Sequence, residues 1–236
     1  MVRTSKRHRL IKIEWPEFGV AACPPPPSVS EFEARIRALR ARMEERKLTH
    51  IIVYADREHF ANLTYLTGFD PRFEEALLIV GMAASPLILV GNECEAYLGI
   101  SPLHANGLMR HECFQSFSLL DQPRERSRPL RDILEDEGVS QKSRVGAVGY
   151  KYFSPNEHSN AAHALDIPSY LADTLRDLAG HDNVANATDI FMHPSEPVQG
   201  DSRRPREGAP GMLPASPDRP PVRLERWSIG ARDRNA

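Results

Sequence analysis

Cys94, His104, His111 and Cys113 are side chains of the kinds that ligate zinc, and they fall in one stretch of the chain. Structural zinc sites usually group their ligands in close pairs about two to four residues apart. The spacings here are irregular, so the residue types suggest a metal while the pattern suits ordinary core and surface positions. His111-Glu112 begins like a zinc-protease helix, but Gln115 stands where the second histidine belongs. His158 and His163 lie five apart, off the same-face spacing of a helix. Asp182, Asp189 and His193 could form an acidic cluster or simply line a loop rim. Val145-Gly-Ala-Val-Gly149 follows a strand-like run but lacks the third glycine and the helix of a dinucleotide fingerprint. Neither a phosphate-binding Gly-x-x-x-x-Gly-Lys loop nor a Gly-x-Ser-x-Gly nucleophile elbow occurs.

The stretch from Tyr54 to Phe73 is richer. It follows a strand-like run, where the carboxyl end of a sheet opens to solvent and ligands bind in α/β folds. Within Phe69-Asp-Pro-Arg72-Phe73, Arg72 can grip a carboxylate in bidentate fashion and Phe73 can wall a small apolar pocket. Phe69, Arg72 and Phe73 are therefore the candidate ligand-contacting residues of this loop. Two plainer readings stand beside this one. Arg57 to Leu66 can be a helix that packs Phe60, Leu63 and Leu66, and Arg72 can pair on the surface with Glu74 or Glu75. Gly68 permits a sharp reversal before the next strand in either case.

The elements around these residues are clear. Ser28-Val-Ser-Glu31 resembles a capping box, and Val29, Phe32, Ile36, Leu39 and Met43 then make one helical stripe. Thr49–Tyr54, Ala76–Val80, Pro86–Val90 and Val145–Val148 read as strands, with Asn183–Thr188 as the last. Their unbroken apolar character suits a sheet covered on both faces. Pro129–Glu137 before Gly138 and Pro168–Ala179 before Gly180 have proline near the start and glycine past the end of a helix. The expected class is α/β, a layered mixed sheet covered by helices.

Three segments follow: residues 1–27, an extended lead-in closed by four prolines; residues 28–193, the folded domain; and residues 194–236, a Pro/Arg-rich tail expected to be disordered. A net charge of −2 argues against a nucleic-acid binder. No apolar run reaches the roughly 20 residues of a membrane span. Three cysteines, an odd number, fit reduced thiols in the cytoplasm, and Lys12, Glu14 and Pro16 interrupt any export signal after the basic N-terminus.

The helix Glu31–Leu48, the strand through Val53, and Asn62-Leu-Thr-Tyr-Leu-Thr-Gly-Phe69 resemble the amino-terminal domain of the creatinase/prolidase family, the M24 group of Xaa-Pro peptidases. Phe73–Val80, Pro86–Val90, Arg144–Gly149 and Ala187–Met192 sit where later parts of that domain belong. The resemblance implies a ribonuclease H-like layered fold. It also implies a domain that narrows a substrate opening, with Phe69, Arg72 and Phe73 as the candidate substrate-gating residues, and that builds a homodimer, while a following pita-bread domain hydrolyses the peptide with two divalent metal ions. None of the five metal ligands of that second domain can be matched here. The chain is therefore expected to be a truncated, non-catalytic domain with no catalytic residue, metal ligand or cofactor of its own, and with a peptide substrate only alongside a catalytic domain. Two other readings remain: a metal-dependent hydrolase completed by a partner chain, and a standalone protein-interaction module. Arginine outnumbers lysine 25 to 5, as in GC-rich coding, and such DNA read out of frame yields Pro, Arg, Ala and Gly. A frameshift near Pro194 is thus one origin for the tail and a genuine disordered segment the other. Translating the downstream DNA in the other two frames should reveal an Asp/Asp/His/Glu/Glu pattern, and its absence would rule the frameshift out.

Overall fold

Ser28 opens the first helix by accepting the Glu31 backbone N–H on its hydroxyl at 3.4 Å. The helix that follows, α1 (Val29–Glu45), buries Phe32, Ile36, Leu39 and Met43, as the stripe predicts. The computed structural model describes residues 26–192. The expected lead-in through residue 25 and the expected tail after 193 lie outside the described residues. Backbone contacts divide the chain into two units after Thr188, and of the second only a short helix, Asp189–Met192, is described.

In chain order the first unit continues with β1 (His50–Ala55), α2 (Ala61–Thr67), β2 (Ala76–Gly81), β3 (Leu87–Val90), α3 (Asn92–Glu95) and α4 (Pro102–Ala105). Then come β4 (Arg110–Cys113), α5 (Leu130–Asp136), β5 (Val145–Val148), α6 (Ser169–Ala179) and β6 (Val184–Asn186). The strands make one sheet in the order β4-β3-β2-β1-β5-β6. β2 is antiparallel to both β1 and β3, and the pairs β3–β4, β1–β5 and β5–β6 are parallel. Five strands thus finish at the end of the sheet where β2 begins. The expected mixed α/β sheet is correct.

Two-sided burial explains the apolar strands. Ile52, Leu77, Ile79, Leu87, Leu89 and Val145 share one core with Ile133 and Leu134 of α5 and Leu171 and Leu175 of α6. The pleat turns alternate residues to the other face, and there Ile51, Val53, Leu78, Val80 and Ile88 are buried as well, in the layer of α1, α2 and α4. Gly146 belongs to this packing. A Cβ there would stand 2.6 Å from Ile51 Cδ1 and 2.8 Å from the Ala187 Cβ, so the glycines of Val145–Gly149 serve close packing and not phosphate binding.

Two departures from the sequence reading have simple causes. The helix expected from Arg57 begins only at Ala61, because the Asp56 carboxylate captures the backbone N–H groups of Glu58 and His59, each at 2.7 Å. Such local bonds compete with the helical ladder. Strand β4 was not anticipated: Arg110-His-Glu-Cys113 has no β-branched residue, and its first two residues are exposed. It is an edge strand guarded by charge, with Arg110 bound to Glu137 at 2.6 Å and Arg128 to Glu112 at 3.4 Å. At the other edge β6 has three residues, and the His163 ring bonds the Val184 carbonyl at 2.8 Å.

Gly68 ends α2 at φ 72°, and a Cβ there would lie 2.8 Å from Pro102 Cδ and 3.0 Å from Phe32 Cζ. The left-handed backbone costs an ordinary residue about 1–2 kcal/mol before any clash. Gly68→Ala should therefore lower unfolding stability by about 2–3 kcal/mol in denaturant titration. Gly99→Ala, where nothing lies within 4 Å, should change it by less than about 0.5 kcal/mol.

Candidate functional site at the strand ends

The polar side chains collect where β1 and β5 finish and β2 starts. Tyr54 is the next-to-last residue of β1 and Glu75 the residue just before β2, so the antiparallel ladder that pairs Ala55 with Ala76 sets them side by side. Tyr54 donates its hydroxyl to Glu75 Oε2 at 2.8 Å, and Tyr170, from the start of α6, approaches the same oxygen at 3.4 Å. Burial pushes the Glu75 carboxyl above the usual carboxylate range, and the nearby Asp56 adds to that effect while the two phenols oppose it. Burial, followed by the contact with Glu75, also pushes the Tyr54 hydroxyl upward. Burial acts to raise Asp56 too, but the Glu58 and His59 N–H groups and the His59 ring outweigh it and hold that carboxyl low.

Two hollows flank Tyr54. One, of about 380 Å³, lies toward β5 and is lined by His59, Tyr150, Lys151 and Asp166 among others. His59 and Tyr150 stack with ring centroids 4.1 Å apart. Asp166 accepts the backbone N–H groups of Tyr150 and Lys151 at 3.1 and 2.8 Å, which pins this wall down. The other hollow, of about 390 Å³, lies toward the Phe69–Phe73 loop and includes Asp56, Arg57, Glu58, Phe73 and Glu75.

The structure separates the three candidate gating residues. Phe69 has no exposed surface. Its ring packs 5.1 Å from that of Tyr97, and its carbonyl accepts the Thr64 hydroxyl at 2.7 Å, so it anchors the loop from below. Tyr97 further ties the loop by donating to the Asp70 carbonyl. Arg72 and Phe73 face outward, Phe73 with 51% of its surface exposed. Arg72 sits at φ 57°, where its backbone N–H reaches the Asp70 carboxylate at 3.0 Å and its guanidinium the same group at 3.6 Å. The alternative pairing of Arg72 with Glu74 or Glu75 is therefore corrected to Asp70. Glu74 turns inward at 2% exposure and accepts the N–H groups of Glu93 and Cys94 at 3.2 and 2.9 Å.

Of the zinc-type residues, only His104 and His111 meet, with Nε2 and Nδ1 3.0 Å apart. Cys94 donates to the Pro71 carbonyl at 3.0 Å, and burial, with Glu74 next, pushes its thiol up to about 12. Cys113 lies against Asn92 Oδ1 at 3.6 Å. Asp182 stands 3.6 Å from His181, and His193 lies outside the described residues. Among the described residues no three His, Cys, Asp or Glu side chains are grouped to hold a metal ion, so those residues do not fit a two-metal centre. No helix among them is long and apolar enough to cross a membrane. Sequence reasoning missed Glu75 and Tyr170 as site residues. They are 95 positions apart, and no local pattern links them.

The profile of the creatinase/prolidase N-terminal domain matches residues 35–174. The chain belongs to that family. No curated protein matches it in sequence. Among solved structures it is similar to dipeptidase PepE from Mycobacterium ulcerans, at 16% identity and a TM-score of 0.46, over 69% of this chain and 36% of that one. It is also similar to the creatinase/prolidase-like N-terminal domain of a Corynebacterium diphtheriae protein, at 20% identity and a TM-score of 0.39, over 65% of this chain and 91% of that one. A third is an Xaa-Pro aminopeptidase from Streptococcus thermophilus, at 16% identity and a TM-score of 0.39, covering 68% and 94%. The chain thus spans about a third of the length of PepE and nearly all of the two shorter chains.

A raised folded-state pKa means that Glu75 favours folding when protonated and loses that contribution as pH rises through the folded value. Glu75→Gln removes the charge while keeping an acceptor for Tyr54. The variant should melt higher than the parent at pH 7, and the difference should close as pH falls through the carboxylate range.

Proposed function

We propose that this chain is the non-catalytic amino-terminal domain of an M24-type peptidase-like protein, acting in the cytoplasm, where it narrows a substrate opening and forms a dimer contact. Family membership supports the first part of the reading. The single observation that carries the rest is the crowding of exposed apolar residues at one end of the sheet. Phe73, Leu119, Leu120, Tyr150, Tyr152 and Tyr170 are exposed there, Leu120 at 86%, whereas Met82 follows the far end of β2. A concentration of this kind marks a surface made to be covered. Arg72 and Phe73 project from the same rim on a loop whose base is fixed by Phe69, which suits a gate that must hold its position while a substrate passes.

In this reading the loop acts by shape and charge and not by bond chemistry. Phe73 supplies an apolar wall. Arg72, drawn back by Asp70, can release to meet a substrate carboxylate, since an exposed pair of this kind is worth at most about 1 kcal/mol.

The full chain incubated with manganese and an Xaa-Pro dipeptide should release no free amino acid. Light scattering should find a dimer, and Phe73→Ala should weaken its association about ten-fold, the effect of losing roughly 1–2 kcal/mol of aromatic burial. Turnover with stoichiometric bound metal would overturn the non-catalytic assignment, and a monomer at the highest soluble concentration would overturn the dimer contact.

A further inference from the structure

The hollow between β1 and the Phe69–Phe73 loop has a composition that neither gating nor dimerisation requires. Two of its lining side chains are aromatic, Tyr54 on the strand side and the half-exposed Phe73 on the loop side, and the rest are Asp56, Arg57, Glu58, Glu74 and Glu75. The Glu75 carboxylate is only half committed. Oε2 receives the phenols of Tyr54 and Tyr170. Oε1 receives no hydrogen bond among the described residues, and no Lys, Arg or His among them is ion-paired to Glu75.

Two of the other carboxylates that line the hollow, Asp56 and Glu74, are occupied. Asp56 holds two backbone N–H groups and the His59 ring, and Glu74 is turned away under α3. The one cation on the wall, Arg57, is highly exposed and stands 4.0 Å from Glu58. Glu75 is therefore a partly desolvated carboxylate beside two aromatic rings in a mainly acidic hollow, with no ion-pair partner among the described residues. A carboxylate costs free energy in such a place unless something positive meets it, and the face of an aromatic ring attracts the same kind of partner.

We infer that this hollow is a subsite for an organic cation, a protonated alkylamine or an alkylguanidinium, with its charge on Glu75 Oε1 and its alkyl portion against Phe73 and Tyr54. A space of about 390 Å³ accommodates a group the size of a lysine or arginine side chain. The two phenols hold Oε2 and leave Oε1 as the oxygen a cation can meet. The inference concerns binding by this chain alone and does not depend on a catalytic domain.

The test is an NMR titration of the full chain with butylammonium and with butylguanidinium, observing the ring resonances of Tyr54 and Phe73, with neutral butylurea as the control. Both cations should shift these resonances in a saturable way. Glu75→Gln should weaken binding about ten-fold and Phe73→Ala about three-fold. The tighter of the two cations identifies the head group. Three results would overturn the inference: no saturable shift, equal shifts with butylurea, or unchanged affinity in Glu75→Gln, whose fold can be checked independently from its melting curve.

Discussion

The antiparallel ladder between β1 and β2 determines where polar groups can go in this molecule. Both faces of the sheet are covered, so a strand residue finds solvent only at an edge or at an end. β2 runs against the other five strands of the sheet, and this brings the start of one strand to the finish of the others. Residues before β2 and residues after β1, β3 and β5 therefore share one rim. Tyr54, Asp56, Glu75 and Tyr150 are neighbours because of that reversal. A parallel β2 would have carried Glu75 to the opposite end of the sheet.

The same ladder gives two identical adjacent residues opposite roles. Glu74 is buried and ties the loop to the N–H groups of α3, in a space that tolerates only glycine at position 91, where a Cβ would come within 2.6 Å of the Glu74 carboxylate. Glu75, one residue later, faces the mouth. The alternation of side chains along an extended backbone is sufficient to explain the split. One glutamate is a structural tie, and the other, held on one oxygen by Tyr54 and Tyr170, is the anion of the inferred cation subsite.

The sequence revealed those parts whose physics is local. The stripe of α1, its Ser28 cap, the apolar runs of β1, β2, β3 and β5, and the Pro/Gly bounds of α5 and α6 all depend on near neighbours. Strand β4 could not be read this way, because Arg110-His-Glu-Cys113 acquires its conformation from pairing with β3. The start of α2 was obscured by one carboxylate, Asp56, that outcompeted the helix. At the candidate site the loop Phe69–Phe73 was legible from its composition, but the inward turn of Phe69 was not. The contact of Tyr170 with Glu75 spans most of the domain and arises only when α6 settles on the sheet. Tyr-Leu-Thr-Gly-Phe69 was informative because its glycine and its aromatic ring are both required: Gly68 for a left-handed turn against Pro102, and Phe69 for the packing beneath it.

The two lateral borders of the sheet limit how copies of this protein can join. An unprotected border strand is a template on which another chain can add its own backbone, and repeated addition produces a fibre. Here one border carries Arg110, His111 and Glu112, with two arginine–carboxylate pairs across it. The other is only three residues long and is occupied by the His163 imidazole. Growth by continuing the sheet is disfavoured on both sides. The dimer contact proposed above falls instead on the strand-end rim, where a contact between side chains can close on itself and stop.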